Sequence, residues 1–207
     1  MISLDIFADP SCPYCYIGKA ALDRALEARP DHPFVIAWHP FQLNPSLPPE
    51  GMERIAWLKA RFGPEAERAD VPIIEAARAN GVKFNLPGIS RVPNTRDAHR
   101  LVHWAGIEGR QSPMMAALMR AYWREGRNIG SHDVLCDLAT EVGLDLTLVV
   151  RLLASDADLD TIAAKEAHAR ERGITAVPTF IIANQHAVTG AQSAEFWQNV
   201  IDEITAQ

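Results

Sequence analysis

The chain is poor in cysteine, has no long apolar run and carries no excess of positive charge. Three cysteines in 207 residues exclude a disulfide scaffold. In a reducing compartment a lone close pair is expected to be catalytic or metal-binding rather than structural. No stretch approaches the roughly 18–20 apolar residues of a membrane span. A net charge of −6 excludes the basic face that a nucleic acid or an anionic membrane requires of its partner. The opening Met1-Ile2-Ser3-Leu4-Asp5 lacks a basic region, and Asp5 and Asp9 break its apolar run. It does not read as a signal peptide, and the expected compartment is the cytoplasm. There is no internal repeat and no low-complexity tract. A chain that is 48% hydrophobic and 22% charged is an ordinary globular one, long enough for a large domain or a domain with a sizeable insertion.

Against that background, Cys12-Pro13-Tyr14-Cys15 stands out. It follows an apolar run, Ile2 to Phe7, with strand character, and precedes Tyr16 to Arg29, which reads as a helix. A C-x-x-C at a strand-to-helix junction places the first sulfur at the helix N-terminus. Unpaired backbone N–H groups and the positive end of the macrodipole there favour a thiolate. Cys15, about one turn on, is within reach of a disulfide with Cys12, so the motif describes a two-electron thiol–disulfide switch. The competing reading is half of a zinc site. Such sites normally draw their ligands from two close pairs, and the only other cysteine, Cys136, has no cysteine near it.

The rest of the chain divides by periodicity. Phe34 to Trp38 is a second strand candidate, and Pro40 to Gly51, with four prolines, is an exit loop. From Met52 to about Gly173 the pattern is helical: apolar faces recur around Ile73, Leu101, Leu118, Leu138, Leu152 and the Leu159–Arg172 segment. Pro72 suits a first helical turn, Asn94-Thr95 and Asp145 suit N-caps, and Gly126, Gly143 and Gly173 suit stops. Val177 to Ile182 then reads as a β-rich run. Asn184-Gln185 makes a turn, His186 to Thr189 pairs back, and Ser193 caps a last helix with Phe196, Val200, Ile201 and Ile204 on one face. Neither end has strands enough to be stable alone, so the two ends are expected to share one sheet. The expectation is an α/β domain formed by residues 1–45 and 174–207, with an all-helical domain, 46–173, inserted.

The ordered set of segments resembles a known family. Asp9 to Gly18 around the C-x-x-C, Pro93-Asn94-Thr95 with Ala98-His99-Arg100-Leu101, Gly173-Ile174, Val177-Pro178-Thr179-Phe180 and Gly190-Ala191-Gln192 resemble DsbA-like proteins of the thioredoxin superfamily. Within these they look like the FrnE-like branch, grouped with 2-hydroxychromene-2-carboxylate isomerases and kappa-class glutathione transferases. The resemblance implies a thioredoxin-like fold with a helical insertion. It implies that Cys12 is the nucleophile, that Cys15 resolves, and that Pro178 is a cis-proline facing them, with the Val177 backbone pairing with a bound peptide or glutathione. Asn44, Gln192 and Ser193 match positions that hold glutathione in the kappa-class relatives. A helix N-terminus is also a natural carboxylate site, although Ser193 serves equally as a plain cap. The isomerase and transferase relatives carry serine at the Cys12 position and lack the second cysteine, so this chain departs from them. It departs too from the many FrnE-like proteins that have Trp where Tyr14 stands.

The expected activity is thiol–disulfide exchange on protein or low-molecular-weight disulfides, without a tightly bound cofactor or metal. Glutathione is the small partner implied. The alternative is a glutathione-dependent isomerase or transferase acting on a small aromatic substrate. Several other residues carry weaker signals. His99 and His103 share metal-ligand spacing, but no acidic residue completes a zincin-type motif, and hydrogen bonding is the expectation for them. His39, after the second strand, is expected to be structural. Cys136 is expected to be partly buried and inert. Met114, Met115 and Met119 form a core-type stripe, and a part exposed toward Cys12 would suit apolar substrates. Trp57, Trp104 and Trp123 are core or interface candidates.

Overall fold

The chain opens with strand β1 (Ile2–Ala8), helix α1 (Pro13–Ala28) and strand β2 (Phe34–Pro40). The structure is a computed structural model that describes residues 1–206. After β2 the chain leaves the sheet through a proline-rich loop. A two-residue strand β3 (Met52–Glu53), helix α2 (Arg54–Phe62), a 3-10 turn (Gly63–Arg68), helix α3 (Val71–Ala79) and a second two-residue strand β4 (Arg91–Val92) follow. Five helices come next: α4 (Arg96–Ile107), α5 (Gln111–Trp123), α6 (His132–Val142), α7 (Leu146–Leu153) and α8 (Leu159–Glu171). Strands β5 (Thr179–Ile182) and β6 (His186–Thr189) and helix α9 (Ala194–Thr205) close the described chain.

Both ends contribute to one four-stranded sheet of order β2-β1-β5-β6. β1 is central, parallel to β2 from Ile2↔Phe34 to Ala8↔Pro40 and antiparallel to β5 from Leu4↔Ile182 to Phe7↔Thr179. Leu4, Ile6 and Ala8 join the main core with Leu22 and Ala25 of α1 and Trp197 and Ile201 of α9. Phe7, on the opposite face, packs with Ile181 of β5, Ala169 of α8 and Ile174. A strand buried on both faces explains why Ile2 to Phe7 shows little alternation. The main core is continuous, running from the sheet to Leu101, Leu118 and Leu138 of α4, α5 and α6.

Several expectations shift. β2 runs two residues past Trp38. β5 starts at Thr179 rather than Val177, because Val177–Pro178 is a cis bond and Pro178 has no N–H for a ladder. The stretch from Met52 to Gly173 is helical except for the antiparallel β3–β4 ribbon, whose two-residue strands are too short to show a period. In α9 the deepest side chain is Trp197, fully buried, while Phe196 lies against the core edge. The helix stops behave as read: Gly143 and Gly173 both take φ +82°, a conformation strained for residues with a Cβ.

Candidate active site

Helix α1 starts on its own cysteine. Cys12 is the N-cap, with φ −85° and ψ 120°, and its Sγ accepts a hydrogen bond from the Cys15 N–H at 3.2 Å. Pro13 occupies the first helical position, where a missing N–H costs nothing. The sulfur thus takes the place that a Ser, Asp or Asn oxygen would take in an ordinary cap, beside the unpaired N–H groups of the first turn. Its own S–H points at the Val177 carbonyl, 3.6 Å away. Cys12 and Cys15 are both buried and both free thiols. Burial pushes the Cys15 thiol well up, and the adjacent Cys12 adds to the push. The pair is therefore chemically unequal: Cys12 meets the helix N-terminus and the cavity beside it, whereas Cys15 is held as a thiol beneath.

Val177 reaches the sulfur because Pro178 turns the chain through the cis bond onto the first turns of α1. The fit needs Gly18: a Cβ there would stand 3.3 Å from Pro178 Cγ and 3.4 Å from Ala191 Cα, tighter than ordinary packing. The Pro178 carbonyl accepts from the Gly190 N–H at 2.8 Å, tying the turn to the end of β6.

A residue that the motif reading passed over anchors the loop. Asp9 is fully buried. Its Oδ1 accepts from the Ser11 N–H and the Ser11 hydroxyl, each at 2.8 Å. Its Oδ2 accepts from the Leu43 N–H at 2.8 Å and the Thr95 hydroxyl at 3.2 Å. One carboxylate thus joins the loop before Cys12, the exit of β2 and the start of α4. The cost appears at α4: Thr95 spends its hydroxyl on Asp9, and Asn94 Oδ1 accepts the Arg96 N–H instead. Trp123 secures the loop from above, its Nε1–H donating to the Pro10 carbonyl at 3.0 Å. The sequence signal for Asp9 is its place just before the C-x-x-C, but two of its partners, Leu43 and Thr95, lie 34 and 86 residues away.

A cavity of about 290 Å³ opens over Cys12, lined by Tyr14, Asn44, Trp57, Trp123 and Val177 and covered by α2 and the start of α3. Of the candidate residues, Cys12, Val177 and Asn44 meet here. Gln192 and Ser193 do not line this cavity: Gln192 Nε2 donates to the Thr189 carbonyl, and Ser193 Oγ accepts from the Phe196 N–H as a cap.

The remaining candidates lie elsewhere. His39 stacks on Phe7 at 4.8 Å and pairs with Asp5 at 2.7 Å, on the sheet rather than at the sulfurs. His99 is buried in α4, while His103 contacts Lys165 of α8. No cluster of three potential metal ligands occurs among the described residues. Burial, with Asp133 and Asp137 behind it, pushes the Cys136 thiol up, as suits an unreactive cysteine. Met114, Met115 and Met119 are fully buried core. Trp104 donates to Asp158 at 2.9 Å, while Trp57 lines the Cys12 cavity. No helix among the described residues is long and apolar enough to cross a membrane.

Known proteins resemble this chain over its length. Residues 3–202 match the family described as DSBA-like thioredoxin domain. The curated protein YwbO of Bacillus subtilis (strain 168) is 30% identical, over 98% of this chain and 96% of its own. The structure of a probable DsbA oxidoreductase from Streptomyces coelicolor is similar at a TM-score of 0.87 and 29% identity, covering 100% of this chain and 91% of that one. The structure of the cytosolic disulfide reductase DsbM from Pseudomonas aeruginosa with GSH shares the fold, with a TM-score of 0.74 at 20% identity over 99% and 100% of the two chains. The split sheet with helices inserted between its halves is the thioredoxin-like α/β fold that the sequence led us to expect.

Proposed function

The chain belongs to the DsbA-like thioredoxin domain family, and from that premise we propose that it is a thiol–disulfide oxidoreductase working through Cys12 and Cys15. One observation carries the reading: Cys12 Sγ caps α1, touches the Val177 carbonyl and borders a cavity, while Cys15 lies buried one turn below. The Cys12 thiolate attacks one sulfur of a substrate disulfide, forms a Cys12–substrate mixed disulfide and releases the other half as a thiolate. Cys15 then loses its proton and attacks Cys12 Sγ. The second substrate thiolate leaves, and the pair ends as a Cys12–Cys15 disulfide. Two electrons have passed to the substrate, and an external thiol such as glutathione returns the pair to the dithiol. The raised Cys15 thiol suits this order, because a resolving thiol that stays protonated does not compete for the first attack.

Residues 1–45 and 174–207 carry this sulfur chemistry, and 46–173 supplies the cover over the cavity. The Val177 carbonyl and the cis Pro178 turn offer an extended substrate a backbone partner beside the sulfur. Asn44, in the same cavity, is placed to hold a small thiol. Gln192 and Ser193 take part only if such a ligand extends to the N-terminus of α9. A cytoplasmic, reducing setting, like that of the relative described as cytosolic, favours the reductive direction.

The test is reduction of insulin by dithiothreitol. The wild-type chain accelerates it, Cys12→Ser does not, and Cys15→Ser accumulates a mixed disulfide with substrate, visible by mass spectrometry. Equal rates for wild type and Cys12→Ser would sink the reading. The alternative, a glutathione-dependent isomerase, requires turnover that survives Cys15→Ser.

A further inference from the structure

The cavity over Cys12 does not stand alone. Next to it lies a larger groove of about 710 Å³, lined by Ile74, Arg78, Val82, Lys83, Phe84 and Leu86. Arg54 and Asp70, an ion pair, line both spaces and form the partition between them. An aromatic pair also joins them: Trp123 lines the cavity and Phe84 the groove, with ring centroids 4.9 Å apart. The two spaces therefore adjoin, one at the Cys12 sulfur and the other along α3.

The charge lining the two spaces is opposite to the charge of the molecule. The chain carries a net −6, yet they are lined by Arg54, Arg61, Arg78 and Lys83 against the single carboxylate of Asp70. Asp70 is already taken by Arg54. Arg61 lies over the rings of Trp57 and Phe62, at 5.6 and 5.9 Å. Arg61, Arg78 and Lys83 enter no ion pair among the described residues. A cationic lining on a protein of net negative charge gives an acidic partner a place of opposite sign to settle. The floor of Ile74, Val82, Phe84 and Leu86 adds apolar contact between those cations.

Resting on the oxidoreductase reading above, we propose that the substrate is an acidic polypeptide segment. Its disulfide lies at Cys12, and its chain continues across the Arg54–Asp70 partition into the outer groove, where Arg78 and Lys83 meet its carboxylates and the apolar floor meets a neighbouring side chain. A small disulfide such as cystine fits the inner cavity alone and does not need the outer pair.

The experiment compares synthetic peptides that share one disulfide-bearing core and differ in a flank of four Glu, four Gln or four Lys. In low salt, kcat/KM for the Glu peptide is expected to exceed that for the Lys peptide by about tenfold, with the Gln peptide between, and the gap closes as salt screens it. The double variant R78E/K83E reverses the order, and R78Q/K83Q removes it; both residues are exposed, so neither change disturbs the core. Cystine shows no such reversal. Equal rates for the three peptides in the wild type, or an order unmoved by R78E/K83E, overturns the proposal. The neutral compound 4,4′-dithiodipyridine, read as the difference between the wild type and Cys12→Ser so that Cys136 is subtracted, reports separately on Cys12. If that difference is absent, the oxidoreductase reading falls, and the groove is judged by fluorescence anisotropy of the labelled peptides, where the same order and the same reversal are required.

Discussion

The cavity over Cys12 has one wall made by the loop after β1, the start of α1 and Trp123 and another made by α2 and the start of α3, and the two walls are fixed to the molecule very differently. On the first, Asp9, Cys15 and Trp123 are all buried, and Asp9 and Trp123 hold the loop by hydrogen bonds to segments far away in sequence. On the second, α2 has no buried residue and α3 only Ala77, while Ile55 and Ile74 remain 59% and 51% exposed. Helical periodicity reads alike in both places. What differs is whether the apolar stripe finds a partner. Sulfur chemistry needs atoms held to a fraction of an ångström, whereas a cover that admits different substrates needs to open at low cost. The molecule separates these demands by building Cys12, the proposed nucleophile, into the core and the cover out of lightly packed helices.

The largest test of that contrast is the Asp9 anchor. Asp9→Ala removes the acceptor of the buried Ser11 N–H and Thr95 hydroxyl and of the half-buried Leu43 N–H. At about 1–3 kcal/mol for each buried group left unpaired, partly offset by relaxation, the expected loss is about 3–5 kcal/mol. Urea unfolding measures it. Asp9→Asn keeps one good acceptor and should fall between the two. A loss below about 1 kcal/mol for Asp9→Ala would remove the distinction between an anchored wall and a loose one.

Much of the anchored side was legible in the sequence, and the reasons are local. A C-x-x-C between a strand and a helix, a proline before a β-rich run and glycines after apolar stripes all carry their meaning within ten residues. Asp9 was visible only as a letter in a motif, because its role depends on Leu43 and Thr95, which the fold alone brings near. Trp197 was missed for a related reason: Phe196 beside it satisfies the same helical face, and packing on Phe180, with ring centroids 4.7 Å apart, decides which goes inside. The β3–β4 ribbon is two residues long on each side, below any detectable period. For the cover, sequence gave the helices but not their exposure, since an amphipathic pattern does not say that a partner is present.

A middle-sized test lies on α4, behind the anchored wall. Burial holds the His99 imidazole below its ordinary value, with the nearby Asp9 charge pulling the other way, and its Nε2 has no protein partner among the described residues. The native state therefore binds fewer protons than the unfolded chain once the pH falls below about 6.5, the ordinary histidine value. The contribution is complete above that pH and is lost as the pH drops toward the lowered native value. The limiting slope is about 1.4 kcal/mol per pH unit for one such group. His103, held down by burial and then by Lys165, adds to the slope in the same direction. Urea midpoints at pH 7.0 and 5.5 should differ in the wild type and differ less in His99→Gln. An identical pH dependence in the two proteins would show that the interior behind the anchored wall does not keep His99 neutral.

The smallest expected effect concerns the cover. Ile55 is 59% exposed on α2, so Ile55→Ser should change global stability by less than about 0.5 kcal/mol, the usual range for surface positions. The sharper measurement is native-state amide hydrogen exchange. Amides of α2 have few buried neighbours to hold them and should exchange through local opening, at a free energy well below that of global unfolding. Amides of α4, whose Ala98, Leu101 and Ala105 are fully buried, should exchange only near the global limit. If α2 proved as protected as α4, the cover would be as rigid as the wall it faces. Substrate choice would then have to come from the fixed shape of the cavity rather than from a cover that opens.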